Sequence, residues 1–87
     1  MGERGRLSSV HAMIRLENTT GKRRGRFVVY EYEQDLFGKI HLTVSSGRSG
    51  TVQRVEKHSF DSKIDFLIQL DIKLEIKERY NYRISNR

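Results

Sequence analysis

Alternation constrains this chain more than any other feature. Val10, Ala12, Ile14 and Leu16 recur at every second residue, and so do Ile40, Leu42 and Val44, with Ser46 in phase. A period of two sends one set of side chains to one face of an extended backbone, so each run reads as a half-buried β-strand. Phe27 to Glu33 is aromatic and β-branched and reads as a further strand, with Phe27 and Val29 facing one way and Val28, Tyr30 and Tyr32 the other. Thr51 to Phe60 is also strand-like. The breaks are turn clusters: Asn18-Thr19-Thr20-Gly21, Asp35-Leu36-Phe37-Gly38 and Gly47-Arg48-Ser49-Gly50. Consecutive strands with short connections predict an antiparallel meander of about four to five strands.

The last third supports two readings. Phe66, Ile68, Leu70, Ile72, Leu74 and Ile76 alternate with residues that are polar apart from Leu67, which is a strand pattern. A strand of that length would be unusual. Ser62 followed by Asp65 resembles a helix N-cap with an acid three residues on, and neither Gly nor Pro occurs from Lys63 to Arg79. A helix would carry two apolar stripes, Phe66/Leu67/Leu70/Leu74 and Ile64/Ile68/Ile72/Ile76.

The chain has 87 residues, which make one domain and leave little room for a deep catalytic pocket, because only about 60–65% of the unfolded surface is buried at this size. The segment 1–9 is polar, basic and glycine-containing and reads as a flexible tail, with the domain itself over 10–84. No cysteine is present, which excludes disulfide, zinc-cluster and thiol chemistry. No apolar run approaches the roughly 20 residues of a membrane span, so no membrane partner is expected and a cytoplasmic protein is the default expectation. Residues 1–54 hold ten bases against five acids and residues 55–87 hold seven against six, so +5 of the net +6 belongs to the front part. A field of that sign favours polyanions, nucleic acid foremost; the plainer alternative is a solubilising surface.

With these elements in place, the chain resembles a WGR domain, a family found in poly(ADP-ribose) polymerases of the DNA-damage type and as small bacterial proteins or domains. The resemblance covers roughly Ile14 to Tyr82. It rests on Arg15-Leu16-Glu17-Asn18, then Arg26-Phe27-Val28-Val29-Tyr30-Glu31, the central Ser46-Gly47-Arg48-Ser49-Gly50-Thr51, and Phe60-Asp61-Ser62 before the last segment. It implies an α+β fold, an antiparallel sheet with one C-terminal helix packed on it, with Phe66, Leu67, Leu70 and Leu74 at the helix's core positions. It also implies DNA binding, with Gly47 and Arg48 matching the motif's glycine and arginine. Ser46 stands where the family has the tryptophan that packs on the DNA end, and the chain has no tryptophan. Ser49 replaces the usual aliphatic residue, and Val52-Gln53-Arg54 lacks the family's following glycine.

The candidate nucleic-acid contacts are therefore Arg48 and Gly47, the loop bases Lys22, Arg23, Arg24 and Arg26, and Arg54. A guanidinium can pair bidentately with phosphate, whereas loop charges position without reading sequence. The alternatives are that Arg48 pins its turn through a carbonyl or an acid, and that the loop is simply solvated. DNA is the more strongly expected partner than RNA. Tyr30, Tyr32 and Phe37 are expected in the core rather than stacked on bases. His11, His41 and His58 have no metal-like spacing, and no metal or other cofactor is expected. No nucleophile elbow, paired carboxylate or phosphate-loop motif appears, so no enzyme is expected. Exposed, the stripe Ile64, Ile68, Ile72 and Ile76 would suit a second copy or another protein; covered, it would pack beneath Leu7 to Val10. The favoured function is non-catalytic nucleic-acid binding. The alternative is a protein-interaction or dimerisation module that has lost DNA-end binding.

Overall fold

The computed structural model describes residues 10–85; the tail expected at 1–9, and any cover it gives the isoleucine stripe, lie outside the described residues. The elements run β1 (Val10–Glu17), β2 (Arg26–Gln34), β3 (Ile40–Arg48), β4 (Thr51–Phe60), α1 (Lys63–Arg79) and β5 (Arg83–Ile84), with a single 3-10 turn at Gly21–Arg23. The strands form one antiparallel sheet in the order β4-β3-β2-β1-β5. Its first four strands are the expected meander. The fifth, only two residues long, returns after the helix so that Ile84 stands opposite Leu16.

Alternation decides the two faces of the sheet. Leu16, Val28, Tyr30, Ile40 and Leu42 point to one side and meet Phe66 and Leu70 of α1 and Tyr82 beyond it. Phe66 is the centre of the helix contact, its ring 4.8 Å from that of Tyr32 and 5.6 Å from that of Phe60. The other face is open. There Phe27 is buried under the guanidinium of Arg15, 4.5 Å above its ring, rather than under the helix. Phe37, expected in the core, is 92% exposed at the β2–β3 turn. The turn is built by Asp35, whose side chain accepts the N–H groups of Phe37 and Lys39, so the aromatic ring between them projects outward.

The last third is helical. Ser62 caps it, its hydroxyl accepting the Asp65 N–H at 3.3 Å, and Asp65 in the first turn and Lys77 and Arg79 in the last complement the helix dipole. Helical geometry redistributes the alternating residues: Phe66 and Leu70 go into the core and Leu74 packs half-buried at its edge, while the isoleucines spiral around the outside. Leu67 departs from its expected core position and is 48% exposed. It lies one residue past Phe66 on the helix flank, beyond the reach of the sheet. No described helix is long and apolar enough to cross a membrane.

The central motif is more extended than its glycines suggest. Gly47 and Arg48 belong to β3, and only Ser49 and Gly50 turn the chain, both with positive φ (53° and 84°), as a tight two-residue hairpin of the primed class requires. Just before the turn, Ser46 opposes Arg54 while Gly47 opposes Val52, so Gln53 is one residue extra on β4, a β-bulge.

Candidate nucleic-acid interface

Strand parity places Arg26, Ser46, Arg48 and Arg54 on the helix side of the sheet, at the end beyond the reach of the core. The bulge allows Gln53 to join them. Helix α1 crosses above, and its last turns bring Lys73 and Lys77, four residues apart on one flank, over the same spot. The result is a cleft in two connected lobes that share Ser46 and Lys77. One lobe, of about 230 Å³, runs between Val44, Arg54, Glu56, Lys73 and Ile76 over a floor of Val28 and Tyr30. The other, of about 360 Å³, lies among Arg26, Gly47, Arg48, Gln53 and Tyr82.

The charge in this cleft is concentrated. Arg26 and Arg48 are direct cross-strand partners, a juxtaposition of like charges that is destabilising by itself. Among the described residues, neither they nor Lys73 and Lys77 take part in an ion pair. Lys77 is half-buried beside Tyr82, its ammonium 4.9 Å from the ring centre. Burial first, and then the charges of Arg23 and Arg26, hold its pKa below the ordinary lysine value, with Glu56 pulling the other way and Lys73 adding least. Among the described residues Glu56 is the one acid in the cleft wall, bound to Arg54 at 2.6 Å. Beneath it the Tyr30 hydroxyl is buried, and burial, with Tyr82 and Glu56 adding to it, pushes its pKa up to about 12, so it stays a neutral donor.

The loop before β2 is tied to this end. Arg23 lies 4.6 Å over the ring of Tyr80. Arg48 donates to the Lys22 carbonyl at 3.3 Å, so the guanidinium does hold a carbonyl, as one expectation had it, and keeps its remaining N–H groups. Ser49 N–H donates to the Gly25 carbonyl at 2.8 Å, joining the loop to the β3–β4 turn. Asn18 fixes the loop's root. Only 2% exposed, it donates from Nδ2 to the Tyr80 carbonyl at 2.7 Å and accepts the Thr20 N–H on Oδ1 at 3.1 Å.

Of the bases singled out from the sequence, Arg26, Arg48 and Arg54 converge here together with Gly47, while Arg23 lies over Tyr80 and acts on Lys77 only through its charge. Lys22 and Arg24 do not line the cleft; Arg24 borders a separate hollow with Arg15 and Ser49 on the other side. Lys73, Lys77, Gln53 and Tyr82 were not singled out. The i, i+4 spacing of the two lysines was visible, but their direction depends on how α1 crosses the sheet. Of the histidines whose side chains are described, His41 bonds Asp35 at 3.0 Å and Ser59 at 3.2 Å on the open face, a contact that first of all holds the Asp35 carboxyl below its usual pKa. His58 is half-buried next to Glu56. Among the described residues no group of His, Cys, Asp or Glu is placed to hold a metal ion. Comparisons with protein-family models, with curated proteins and with solved structures find no match to this chain.

Proposed function

We propose that this protein is a non-catalytic nucleic-acid-binding domain that seats the phosphate backbone of DNA in the cleft between β2, β3, β4 and the end of α1. The observation that carries the reading is the convergence of Arg26, Arg48, Lys73 and Lys77 without acidic partners, two of them directly opposed across strands. A fold gains nothing from such repulsion unless an anion is to be neutralised there. The resemblance to WGR domains points the same way, with one difference of substance. At the position of the family's stacking tryptophan, Ser46 forms a small polar floor, so contact by charge and hydrogen bonding takes the place of stacking on a DNA end.

The test is fluorescence anisotropy with a labelled duplex, intact and nicked, over a salt series. Neutralising four phosphates gives a log–log salt slope of about −3.6 on B-DNA. Arg48→Ala and Lys77→Ala each lower the slope by about one, while Lys57→Ala, on the open face opposite Thr43, leaves it unchanged. Absence of binding at low salt, or equal losses in all three variants, overturns the reading and leaves the interaction-module alternative.

A further inference from the structure

The nucleic-acid reading uses only Ile76 of the isoleucine stripe, in the cleft wall, and leaves Ile64, Ile68 and Ile72 without a role. Ile64, Ile68, Ile72 and Ile76 are 69, 51, 43 and 45% exposed. They recur every four residues and so form one continuous ridge rather than scattered apolar points. The surface they leave in water is roughly 350–400 Å² per chain, a patch as large as the largest on ordinary monomers, which runs to about 300–600 Å². Tyr80 continues it at the C-terminal end, and Leu67, on the neighbouring stripe, flanks it near Ile64 and Ile68; both are about half exposed.

We propose that this ridge pairs with the same ridge of a second copy, antiparallel, with Ile72 at the two-fold axis. A two-fold axis makes such a contact isologous, the same ridge facing itself on both copies. An isologous pairing centred on Ile72 sets Ile68 against Ile76 of the second copy and Ile64 against its Tyr80. It also sets Asp65 against the second copy's Arg79, so opposite charges meet at both ends of the seam. The charges bordering the ridge, Asp65, Asp71 and Glu75 against Lys73, Arg79 and the Arg23 that lies over Tyr80, balance. The chain's overall +6 therefore does not oppose contact on this face, whereas it would oppose contact through the basic cleft. Residues 1–9 offer only Met1 and Leu7 as large apolar side chains, too few to cover four isoleucines. The isoleucines of two copies remove roughly 700–800 Å² from water, and with Leu67, Tyr80 and the bordering stems the interface reaches about 1,000–1,200 Å², the lower end of specific association. The dimer is accordingly weak and concentration-dependent.

Sedimentation velocity on the full chain, from about 5 to about 500 µM and without nucleic acid, tests this over the range in which weak association shows. The double variant Ile68→Glu/Ile72→Glu, exposed and therefore compatible with folding (checked by circular dichroism), weakens association by at least about 100-fold, because it leaves charges facing one another in an apolar seam. With no native cysteine, Ile72→Cys forms a disulfide-linked dimer under mild oxidation, while Lys57→Cys on the open sheet face does not. A wild-type chain that stays monomeric at the highest concentration overturns the proposal. So does a dimer that survives the double glutamate variant, which would assign association to the unpaired edge of β4.

Discussion

Replacing Gly47 by alanine separates two explanations of the central motif. A glycine beside an arginine at a hairpin suggests room for an approaching phosphate. The structure assigns Gly47 a different constraint, the approach of another backbone. Its φ is not in the left-handed region, so alanine meets no conformational strain there. A β-carbon at Gly47 would instead be driven into the carbonyl oxygen of Thr51, and would stand 2.8 Å from the carbonyl carbon of that residue and 2.9 Å from the α-carbon of Val52. All three obstacles are backbone, and no side chain can swing away. Relief requires β3 and β4 to part at the bulge, losing one or two ladder hydrogen bonds at about 0.5–1.5 kcal/mol each. Strain of about 1–3 kcal/mol, typical of overpacking, adds to this, and the lower chain entropy of alanine returns about 0.5–1 kcal/mol. The net loss is about 2–3 kcal/mol. In a domain of this size that lowers Tm by roughly 10–20 °C. Gly50→Ala is the internal control. It has open space around it and a φ of 84°, so only the left-handed conformation opposes it, at about 1–2 kcal/mol. Thermal denaturation followed by circular dichroism ranks the two. If Gly47→Ala melts within a few degrees of wild type, or above Gly50→Ala, the close-approach reasoning is wrong.

Two further predictions concern buried polar groups. The Tyr30 hydroxyl titrates near 12 in the folded chain and near 10 when unfolded, so stability is intact below pH 10 and falls as pH rises from 10 to 12, by about 2–3 kcal/mol in all. In Tyr30→Phe, urea midpoints measured across that range lose this part of the pH dependence. Asn18→Ala removes the donor to the Tyr80 carbonyl and the acceptor of the Thr20 N–H inside a buried site, and lowers unfolding free energy by about 2–3 kcal/mol in chemical denaturation; a loss under 0.5 kcal/mol would show that water replaces both bonds.

Much of the architecture was legible because β1 and β3 carry a period-two signal, β2 is aromatic and β-branched, and each of the three hairpin connections contains a glycine. The helix was favoured by Ser62 and the absence of Gly and Pro but decided only by the resemblance, since a residue set that alternates on a strand also divides into two stripes on a helix. Leu67 shows where that reasoning stops: its face was right to within one residue, but the width of the buried stripe depends on how closely the sheet curves under α1. Phe37 was misplaced because hydrophobicity says nothing of a turn in which Asp35 satisfies the backbone and leaves the ring outside. In the cleft, Arg26 and Arg48 could be found from the strand pattern. Lys73 and Lys77 could not, because their azimuth is set by packing of Phe66 and Leu70. Gln53 was hidden by a bulge that no local residue announces. Two residues of β5 are too short a segment to signal a strand at all.

Asn18 has a consequence for motion. Its backbone N–H donates to the Arg26 carbonyl, its own carbonyl accepts the Gly25 N–H at 2.8 Å, and its side chain holds Tyr80 and Thr20. The loop root, the start of β2 and the final helical turn therefore open together or not at all. In hydrogen exchange the amides of Thr20, Gly25 and Tyr82 should share one opening free energy, although they are far apart in sequence. Between those anchors the exposed side chains of Lys22 and Arg24, which line neither lobe of the cleft, can change without transmitting slack to Arg26 or Lys77, which makes them the places where this scaffold tolerates variation most readily.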